Sequence, residues 1–465
     1  MNRRAFFASL VIVVALVAAA CGSSSNKGQV KSTTSAGGSA TTVNNIVSKT
    51  LGPGVTDKQI KVGISLIDFK CIAQYIDFTR PNQQAGYQAF IDDINKKGGI
   101  NGRQIVPVFK TECPLTPTSD LQVQLCTGFT EDNPVFAVLG NLSDAAQDDA
   151  IHTCITKKHH TPLITFDVTQ SMINDGPPGL LVFPGTTPER SSTVLFDLLK
   201  AKGTLNGKKV AVLANSTSEP SVKASVIPGL KKLGVAMGTT AFLTINGADT
   251  TAAHAQLSSF IEKWKSEGVN ALFITSEDAV AKQFVEQVVN GMPKGLILMT
   301  DVGDTSFQGQ DEVKAKVNPN PYEGMYFAGG FSAHDYDQSD NWKYCADIYK
   351  AQTGKEPPNA EAHILVNVAG KQVRDDTYGN VNDACQQLSL FAAIVQRMGA
   401  YPNAQNWVAT VNNFGKVVNR GGGPYASLHT GKYDDDDTFV LQQFSSTEPP
   451  QGNWKNVGSY QDVSG

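Results

Sequence analysis

The sequence predicts an α/β fold made of two doubly wound parallel sheets, each with its own hydrophobic core. From Ile60 onward, short apolar β-rich runs alternate with amphipathic segments of helical period, which is typical of βαβ units. The alternation starts a second time after Pro188. The chain from about Leu51 to Gly465 is also too long for one hydrophobic core and suits two domains.

The individual elements follow from that alternation in chain order. In the first series we expect strands at 60–66, 105–109, 135–139 and 162–166, and helices at 83–97, 119–131 and 144–158. In the second series we expect strands at 210–214, 240–243, 271–275 and 296–299, and helices at 222–233, 252–267 and up to Asn290. In the last third we expect a strand at 325–330, mainly helices over 341–414, and a β-rich tail containing Phe439, Val440, Leu441 and Phe444.

The first twenty residues have the layout of a secretory signal peptide. Arg3 and Arg4 precede an apolar run over 5–20, which is shorter than the roughly 20 residues that a spanning helix requires. The stretch 16–22 resembles a bacterial lipobox, which implies that Cys21 is lipidated and becomes the mature N-terminus. The alternative is ordinary cleavage with Cys21 as a bystander.

Residues 21–55 are predicted to form the lipidated Cys21 and a flexible tether. They are rich in Gly, Ser, Thr and Asn and carry too little apolar surface to offset the entropy of ordering. An acyl anchor followed by a tether keeps a folded part near a membrane but in water. We therefore expect an exported protein, attached to the outer face of the cell membrane through its lipid anchor only.

Charge and cysteine content restrict the class further. The formal net charge of −4 carries no basic excess for nucleic acid, so no nucleic-acid partner is expected. No later apolar run is long enough to span a bilayer, so any transport step requires another protein. Six cysteines remain besides Cys21, an even number that suggests disulfides in an exported chain, with fifteen possible connectivities.

Signals for catalysis and cofactors are weak. The sequence contains no Gly-x-Ser-x-Gly elbow, His-Glu-x-x-His motif or phosphate loop, and 203–208 has the wrong spacing for the last of these. His159 and His160 end a predicted helix, where capping is a better interpretation than metal binding. The run 434–437 is four aspartates without the alternating pattern of a calcium loop, so we expect a solvated turn. We expect no catalytic residue, no metal and no cofactor.

Four segments resemble the first lobe of leucine/isoleucine/valine-binding proteins, which have the type I periplasmic-binding fold. They are 60–66, 87–95, 98–103 and 135–140, and the Gly-Gly-Ile-Asn-Gly-Arg sequence of the third is the most specific. Its glycine pair ends the first helix with left-handed backbone angles, and its Asn-Gly makes a tight turn into the second strand. These are structural residues, not ligand contacts.

The resemblance implies two Rossmann-like lobes joined by a multi-strand hinge that the chain crosses three times. Lobe 1 would comprise 56–187 and about 330–430, and lobe 2 would comprise 188–329 and about 431–465. The protein would be a monomeric solute-binding lipoprotein of an ABC importer, closing on a small-molecule solute and presenting it to a permease. A ligand-sensing receptor module of the same fold is the alternative, and an enzyme is less favoured.

The resemblance also implies which residues line the cleft. In lobe 1 they are Tyr75, Ser143, Asp144, Thr165, Asp167 and Thr169. Tyr75 would be the aromatic wall, although a partly exposed loop aromatic is an equal alternative. Ser143 and Asp144 open a helix that would bind a carboxylate in the relatives, but either side chain is as well explained as a helix N-cap.

In lobe 2 the corresponding residues are Ser218, Glu277, Asp278 and Asp301. The loop 215–220 lacks the Tyr-Gly common in relatives, and several acids, including Asp304, would crowd one cleft. Because a desolvated anion requires partners, we expect a polar solute: an amino acid, an amide or an amine.

The same resemblance implies how the six cysteines pair. Loops that leave neighbouring strands at one end, and helices that pack side by side, give the pairs Cys71–Cys113, Cys126–Cys154 and Cys345–Cys385. In some relatives the partner of Cys113 lies at the position of Ser143, so this pairing remains an expectation.

Overall fold

In the computed structural model of the protein, the described residues are 46–72, 78–113, 119–142, 150–166, 168–245, 250–276, 278–303, 305–330, 333–359, 362, 364–448 and 452–464. The predicted signal peptide, Cys21 and most of the predicted tether lie outside them. None of the helices in this described part has the length and apolar character needed to span a bilayer.

The first series of elements forms a five-stranded parallel sheet in the order β3-β1-β4-β5-β6. Its elements, with a short strand β2 outside this sheet, are β1 (Gln59–Ile67), α1 (Phe69–Ile72), β2 (Phe78–Thr79), α2 (Gln83–Lys96), β3 (Gln104–Glu112), α3 (Ser119–Thr130), β4 (Ala137–Gly140), α4 (Ala150–His152), β5 (Leu163–Thr165), α5 (Gln170–Asp175) and β6 (Leu181–Val182). A π-helical stretch, Thr153–Lys158, continues α4. The four strands predicted for this series are confirmed.

The second series forms the parallel part of a larger sheet. Its elements are α6 (Pro188–Ala201), β7 (Lys209–Asn215), α7 (Glu219–Ser221), α8 (Ile227–Lys232), β8 (Ala236–Leu243), α9 (Thr251–Glu267), β9 (Ala271–Ile274), α10 (Lys282–Gly291), β10 (Ile297–Thr300), α11 (Thr305–Lys314) and β11 (Tyr326–Gly329). The helix predicted at 222–233 is confirmed as a π-helical stretch, Val222–Val226, followed by α8. The predicted strands are also confirmed, and β8 begins four residues earlier than expected.

The last third contains helices and several short strands. Its elements are α12 (Ala333–Asp337), α13 (Asp340–Thr353), β12 (Leu365–Val368), β13 (Lys371–Asp375), α14 (Thr377–Met398), α15 (Ala404–Asn412), β14 (Gly415–Lys416), β15 (Ser427–Leu428), β16 (Thr438–Ser445), β17 (Asn453–Asn456) and β18 (Gln461–Asp462). The predicted helical region is interrupted by the β12–β13 hairpin. Its turn uses Ala369 and Gly370, both with positive φ, which closes a two-residue loop between antiparallel strands.

The two sheets have separate hydrophobic cores. The first sheet packs with α13, α14 and α15, and its cluster includes Phe136, Phe391 and Trp407. The second sheet has the order β17-β16-β11-β10-β9-β7-β8, and each of its faces has a core of its own. Strand β16 joins it antiparallel to β11, so the tail returns to the second sheet. We call the first unit lobe 1 and the second lobe 2.

The Gly-Gly-Ile-Asn-Gly-Arg motif is structural, as predicted. Its turn residues all have positive φ: Gly98, Gly99, Asn101 and Gly102. The Asn101 amide donates to the carbonyl oxygen of Gln396 at the end of α14, 3.2 Å away, and Arg103 donates to that of Ala400. The motif therefore holds two distant parts of lobe 1 together.

All three predicted disulfides are present: Cys71–Cys113, Cys126–Cys154 and Cys345–Cys385. Each lies within lobe 1. The last joins α13 to α14, and both of its cysteines are fully buried. Disulfides of this kind stabilise mainly by restricting the unfolded chain.

The start of the described chain is fixed to lobe 1. The Asn406 carboxamide oxygen on α15 accepts hydrogen bonds from the backbone N–H groups of Val47 and Ser48, at 2.8 and 3.0 Å. Its nitrogen donates to the Ser48 carbonyl. The described chain therefore begins against α15.

Candidate functional site

The carboxyl-terminal edges of the two parallel sheets adjoin each other. Helix α6 is the first element of lobe 2, and its first turn lies at the carboxyl edge of the lobe 2 sheet, because Ser192 contacts Asp301 just after β10. The same turn reaches lobe 1, where the backbone N–H of Gln170 donates to the Glu189 carboxylate at 3.1 Å. Open α/β sheets bind ligands at this edge, so the space between the lobes is the candidate site.

The wall from lobe 1 is built around the end of β4. Gly140 has φ +112°, and a Cβ there would lie 2.1 Å from the Ser65 carbonyl oxygen, so only glycine fits the bend. Beyond it, the side-chain oxygen of Asn141 is buried without a hydrogen-bond partner, and so is the hydroxyl of Ser65 on the neighbouring strand. Buried polar atoms of this kind usually find a partner in bound water or ligand.

The wall from lobe 2 is centred on Asp301. One carboxylate oxygen accepts hydrogen bonds from the hydroxyls of Ser192 (2.6 Å) and Thr275 (3.0 Å). The other oxygen, Oδ1, is buried without a partner. Burial raises the pKa of Asp301 from 3.8 to about 6. The wall therefore presents an acceptor that lacks a donor.

A second carboxylate at the same edge already has its partner. The Asp278 carboxylate accepts a hydrogen bond of 2.7 Å from the side chain of Asn215, the last residue of β7. This bond joins the end of β7 to the segment after β9. It also gives a matched comparison for Asp301, because the two acids lie at one edge but differ in how fully they are bonded.

Half of the ten predicted cleft residues lie in the part of the chain that the structure describes. Five lie outside the described residues: Tyr75, Ser143, Asp144, Asp167 and Glu277. The remaining ones lie at the adjoining edges: Thr165, Thr169, Ser218, Asp278 and Asp301. The assignment of all ten as ligand contacts stays a prediction.

Thr165 and Thr169 of lobe 1 also have structural bonds. The Thr165 hydroxyl is fully buried, donates to the Gly140 carbonyl at 3.0 Å and accepts from the Leu142 N–H. The Thr169 hydroxyl accepts from the N–H of Met172 and caps α5. Thr165 therefore shapes the end of β4, and Thr169 starts the helix that faces Glu189.

Sequence reasoning missed Glu189, Ser65 and Asn141. Glu189 bonds both Gln170 of lobe 1 and the hydroxyl of Ser221 in lobe 2. Its signal was the Thr-Pro-Glu sequence at 187–189, a helix start with proline in the first turn. Ser65 and Asn141 carry no motif, because their importance comes from the register of adjacent strands.

The hinge is formed where the chain passes between the lobes. The order of the described elements places three such passages: over 183–187, between β11 and α12, and over 433–437. The first and third passages pair side by side through the parallel bridge Phe183–Asp434. The three crossings implied by the family resemblance are confirmed.

The expectation that 434–437 is a solvated turn is wrong. Asp434, Asp435 and Asp437 are buried within the third passage. Two cations lie among the carboxylates: Arg190 of α6 pairs with Asp437, and Lys432 lies 2.9 Å from the same carboxylate. The run is buried because it crosses between lobes, which its composition does not reveal.

The hinge holds four carboxyl groups but only two cations. Burial raises the pKa of Asp436 to about 7, even though Thr438 donates a backbone hydrogen bond to it. Burial, followed by repulsion from Asp436, raises the pKa of Asp435 as well. The hinge therefore takes up protons more readily than ordinary aspartates do.

One group of potential metal ligands occurs among the described residues. The sulfurs of Cys126 and Cys154 lie near the His159 ring, with the ligand atoms within 4.8 Å of one another. Both sulfurs are joined in a disulfide, so they lack the thiolate form that binds metals. The Glu131 carboxylate lies 3.3 Å from His159, which fits the predicted structural role of this histidine.

A hollow of about 330 Å³ lies elsewhere in lobe 2. It is lined by Leu205, Lys209 and Ala236, at the amino-terminal ends of β7 and β8. This is the edge opposite the cleft. We give it no part in solute binding, because parallel sheets bind ligands at the carboxyl edge.

Two α/β lobes, a hinge of three passages and polar groups at adjoining strand ends define a two-lobed binding protein. The sequence profile of the periplasmic binding protein family matches residues 76–369, and the chain belongs to this family. No curated protein sequence matches.

Solved structures share the type I periplasmic-binding fold with this chain. An ABC transporter substrate-binding protein from Desulfitobacterium hafniense has a TM-score of 0.58 at 12% identity, covering 86% of this chain and 100% of that one. A solute-binding protein from R. palustris in complex with 4-hydroxybenzoate has a TM-score of 0.58 at 14% identity, covering 87% and 98%. A branched-chain amino acid transporter substrate-binding protein from Streptococcus pneumoniae in complex with isoleucine has a TM-score of 0.53 at 17% identity, covering 86% and 100%.

Proposed function

We propose that the protein is the extracytoplasmic solute-binding lipoprotein of an ABC importer. Family membership and the roles of the structural neighbours support this proposal. The solute would bind between the lobes, which close over it, and the closed form would be recognised by the permease. The free-energy difference between open and closed states would come from contacts made only when the cleft is shut.

We further propose a polar solute with hydrogen-bond donors, such as an amino acid, an amide or an amine. The observation that carries this is the pair of unpartnered buried acceptors at the adjoining edges, Asn141 Oδ1 of lobe 1 and Asp301 Oδ1 of lobe 2. An apolar solute would leave both acceptors without a donor, which costs about 1–3 kcal/mol for each buried group. A solute that donates to them recovers this loss.

The lobe limits and the anchor are part of the same proposal. Residues 56–187 with about 330–430 would form lobe 1, and 188–329 with about 431–465 lobe 2; the membership of the strands in the five-stranded and the eight-stranded sheet supports this division. Lipidated Cys21 would hold the monomeric protein at the outer face of the membrane. Because the tether would leave from Asn406 on α15, lobe 1 would be the tethered lobe.

Untargeted mass spectrometry of small molecules released from the purified protein tests the proposal. We expect one polar compound with an amine or amide group in stoichiometric amount, absent from a mock purification. A thermal-shift screen of amino acids, amides, amines and benzoates would follow, with Asp301→Asn beside the wild type. Stabilisation by benzoate alone, which has no hydrogen-bond donor at neutral pH, would refute the polar-solute proposal, and release of an apolar compound would do the same.

A further inference from the structure

Helix α14 carries an unusual row of buried polar side chains. Five of them are almost completely shielded from solvent: Asn380, Asn382, Asp383, Gln386 and Gln387. A polar group inside a core is costly unless it is hydrogen-bonded. Their partners therefore show what the row does.

Gln387 bonds the backbone at the end of β4. Its carboxamide oxygen accepts from the N–H of Gly140 at 2.7 Å, and its nitrogen donates to the Gly140 carbonyl at 3.2 Å. The hydroxyl of Tyr87 donates to the same carboxamide oxygen. One side chain thus fixes both backbone groups of the glycine where the β4 loop begins.

The next residue, Gln386, bonds the hinge. Its nitrogen donates to the Pro184 carbonyl in the first passage at 2.7 Å and to the Asn419 side chain at 3.0 Å. Asn419 in turn donates to Asp435 in the third passage at 3.3 Å. A Cβ on Gly421 would lie 2.3 Å from the Gln386 carboxamide oxygen, so the backbone packs tightly around this side chain.

A third link lies one turn earlier on the helix. Asp383 is bonded to the side chain of Asn141, immediately after Gly140. It also pairs with Arg80 at 2.5 Å. The β4 loop is therefore held to α14 at two successive residues, while the hinge is held to it at Gln386.

We propose that Gln386 and Gln387 are positioning residues that couple the β4 loop to the hinge through α14. Adjacent residues of one rigid helix hold the two elements in a fixed relation, so a displacement of the loop also changes the pairing of the first and third passages. The role in solute-driven closure rests on the function proposed above. The mechanical coupling itself does not, since all of its contacts join groups of the protein.

Glutamine suits this role because a carboxamide offers a donor and an acceptor on one planar group. Methionine has a similar length and shape but has no strong donor. Gln387→Met therefore removes the bonds that this side chain makes to both backbone groups of Gly140, and Gln386→Met removes the bond to the Pro184 carbonyl. The two variants remove the bonds while keeping most of the packing volume.

Hydrogen–deuterium exchange of the solute-free protein tests the coupling. We expect Gln387→Met to speed exchange about tenfold over 140–142, as the loss of a buried hydrogen bond allows. It should also speed exchange about threefold or more over 183–187, where it has no contact. Gln386→Met should show the reciprocal pattern, and the double variant should fall short of the product of the two effects.

The control variant is Asn406→Ala, which removes another buried carboxamide of lobe 1 that bonds the start of the chain. It should leave both segments unchanged, as should strand β7 in every variant. If each glutamine variant changes only its own segment, the coupling is overturned, whether or not the protein binds a solute. Faster exchange throughout lobe 1 would also overturn it, because the residues would then be merely stabilising.

Discussion

Replacing Asp301 with asparagine removes one negative charge from the cleft and keeps an oxygen to accept the hydrogen bonds from Ser192 and Thr275. The amide nitrogen would take the position of Oδ1, which has no partner among the protein atoms. The substitution therefore separates the cost of a buried charge from the loss of its bonds.

The size of the effect follows from the pKa. Burial raises the pKa of Asp301 from 3.8 to about 6, and each pKa unit corresponds to about 1.36 kcal/mol, so the upper limit is about 3 kcal/mol. Residue Asp301 as a whole is only half-buried, so we discount this upper limit and expect about 1–2 kcal/mol. Because burial raises the folded-state pKa above the value in the unfolded chain, the free energy of unfolding falls as the pH rises from about 4 to about 6.

Urea unfolding of the solute-free protein at pH 4 and pH 8 measures this effect. Asp301→Asn should be more stable than the wild type at pH 8, and this advantage should disappear at pH 4. The control is Asp278→Asn at the same edge, where the gain should be absent because Asn215 already bonds that carboxylate. An equal change at both pH values for Asp301→Asn would refute the assignment of a strained charge to the cleft.

Three further substitutions test other parts of the structure. Gly140→Ala should lower the free energy of unfolding in urea by about 3 kcal/mol or more, because its Cβ would lie 2.1 Å from the Ser65 carbonyl oxygen at a positive φ. An unchanged free energy would show that β4 ends differently. Asp436→Asn should raise the melting temperature at pH 8 but not at pH 4. A folded-state pKa of about 7 means that the stability of the wild type falls as the pH rises from 4 to 8. A change of equal size at both pH values would contradict the burial of that carboxyl. The double change Cys126→Ser and Cys154→Ser should lower the free energy of unfolding by about 3.5 kcal/mol for a loop of this length; an unchanged midpoint would show that the disulfide does not constrain the chain.

Much of the fold could be predicted because the spacing of apolar residues along the chain reflects which face of each element is buried. Strands such as β4, β7 and β9 are short, mainly apolar runs, and the glycine-rich motif after α2 has the positive φ angles that its sequence indicates. The β12–β13 hairpin was missed because it lies between long helices and only its Ala-Gly turn marks it. Hairpins of this size carry little sequence pattern.

The candidate site could be predicted only in outline. Asp301 and Thr165 were placed correctly at strand ends, but the sequence does not show that the Thr165 hydroxyl is bonded to Gly140. The aspartates over 434–437 read as a surface turn, because a charge run is usually solvated. Their burial results from the third passage between the lobes, a long-range feature that local composition does not record.

The central claim is that a solute occupies the space between the lobes and brings them together. Small-angle X-ray scattering tests it on one preparation, measured as purified with its solute and again after unfolding with the disulfides intact, dialysis and refolding. A smaller radius of gyration for the solute-bound protein, restored when the released solute is added back, is the predicted result. Suppose that the bound form carries one solute per protein molecule. Scattering identical to that of the solute-free form would then contradict closure of the cleft.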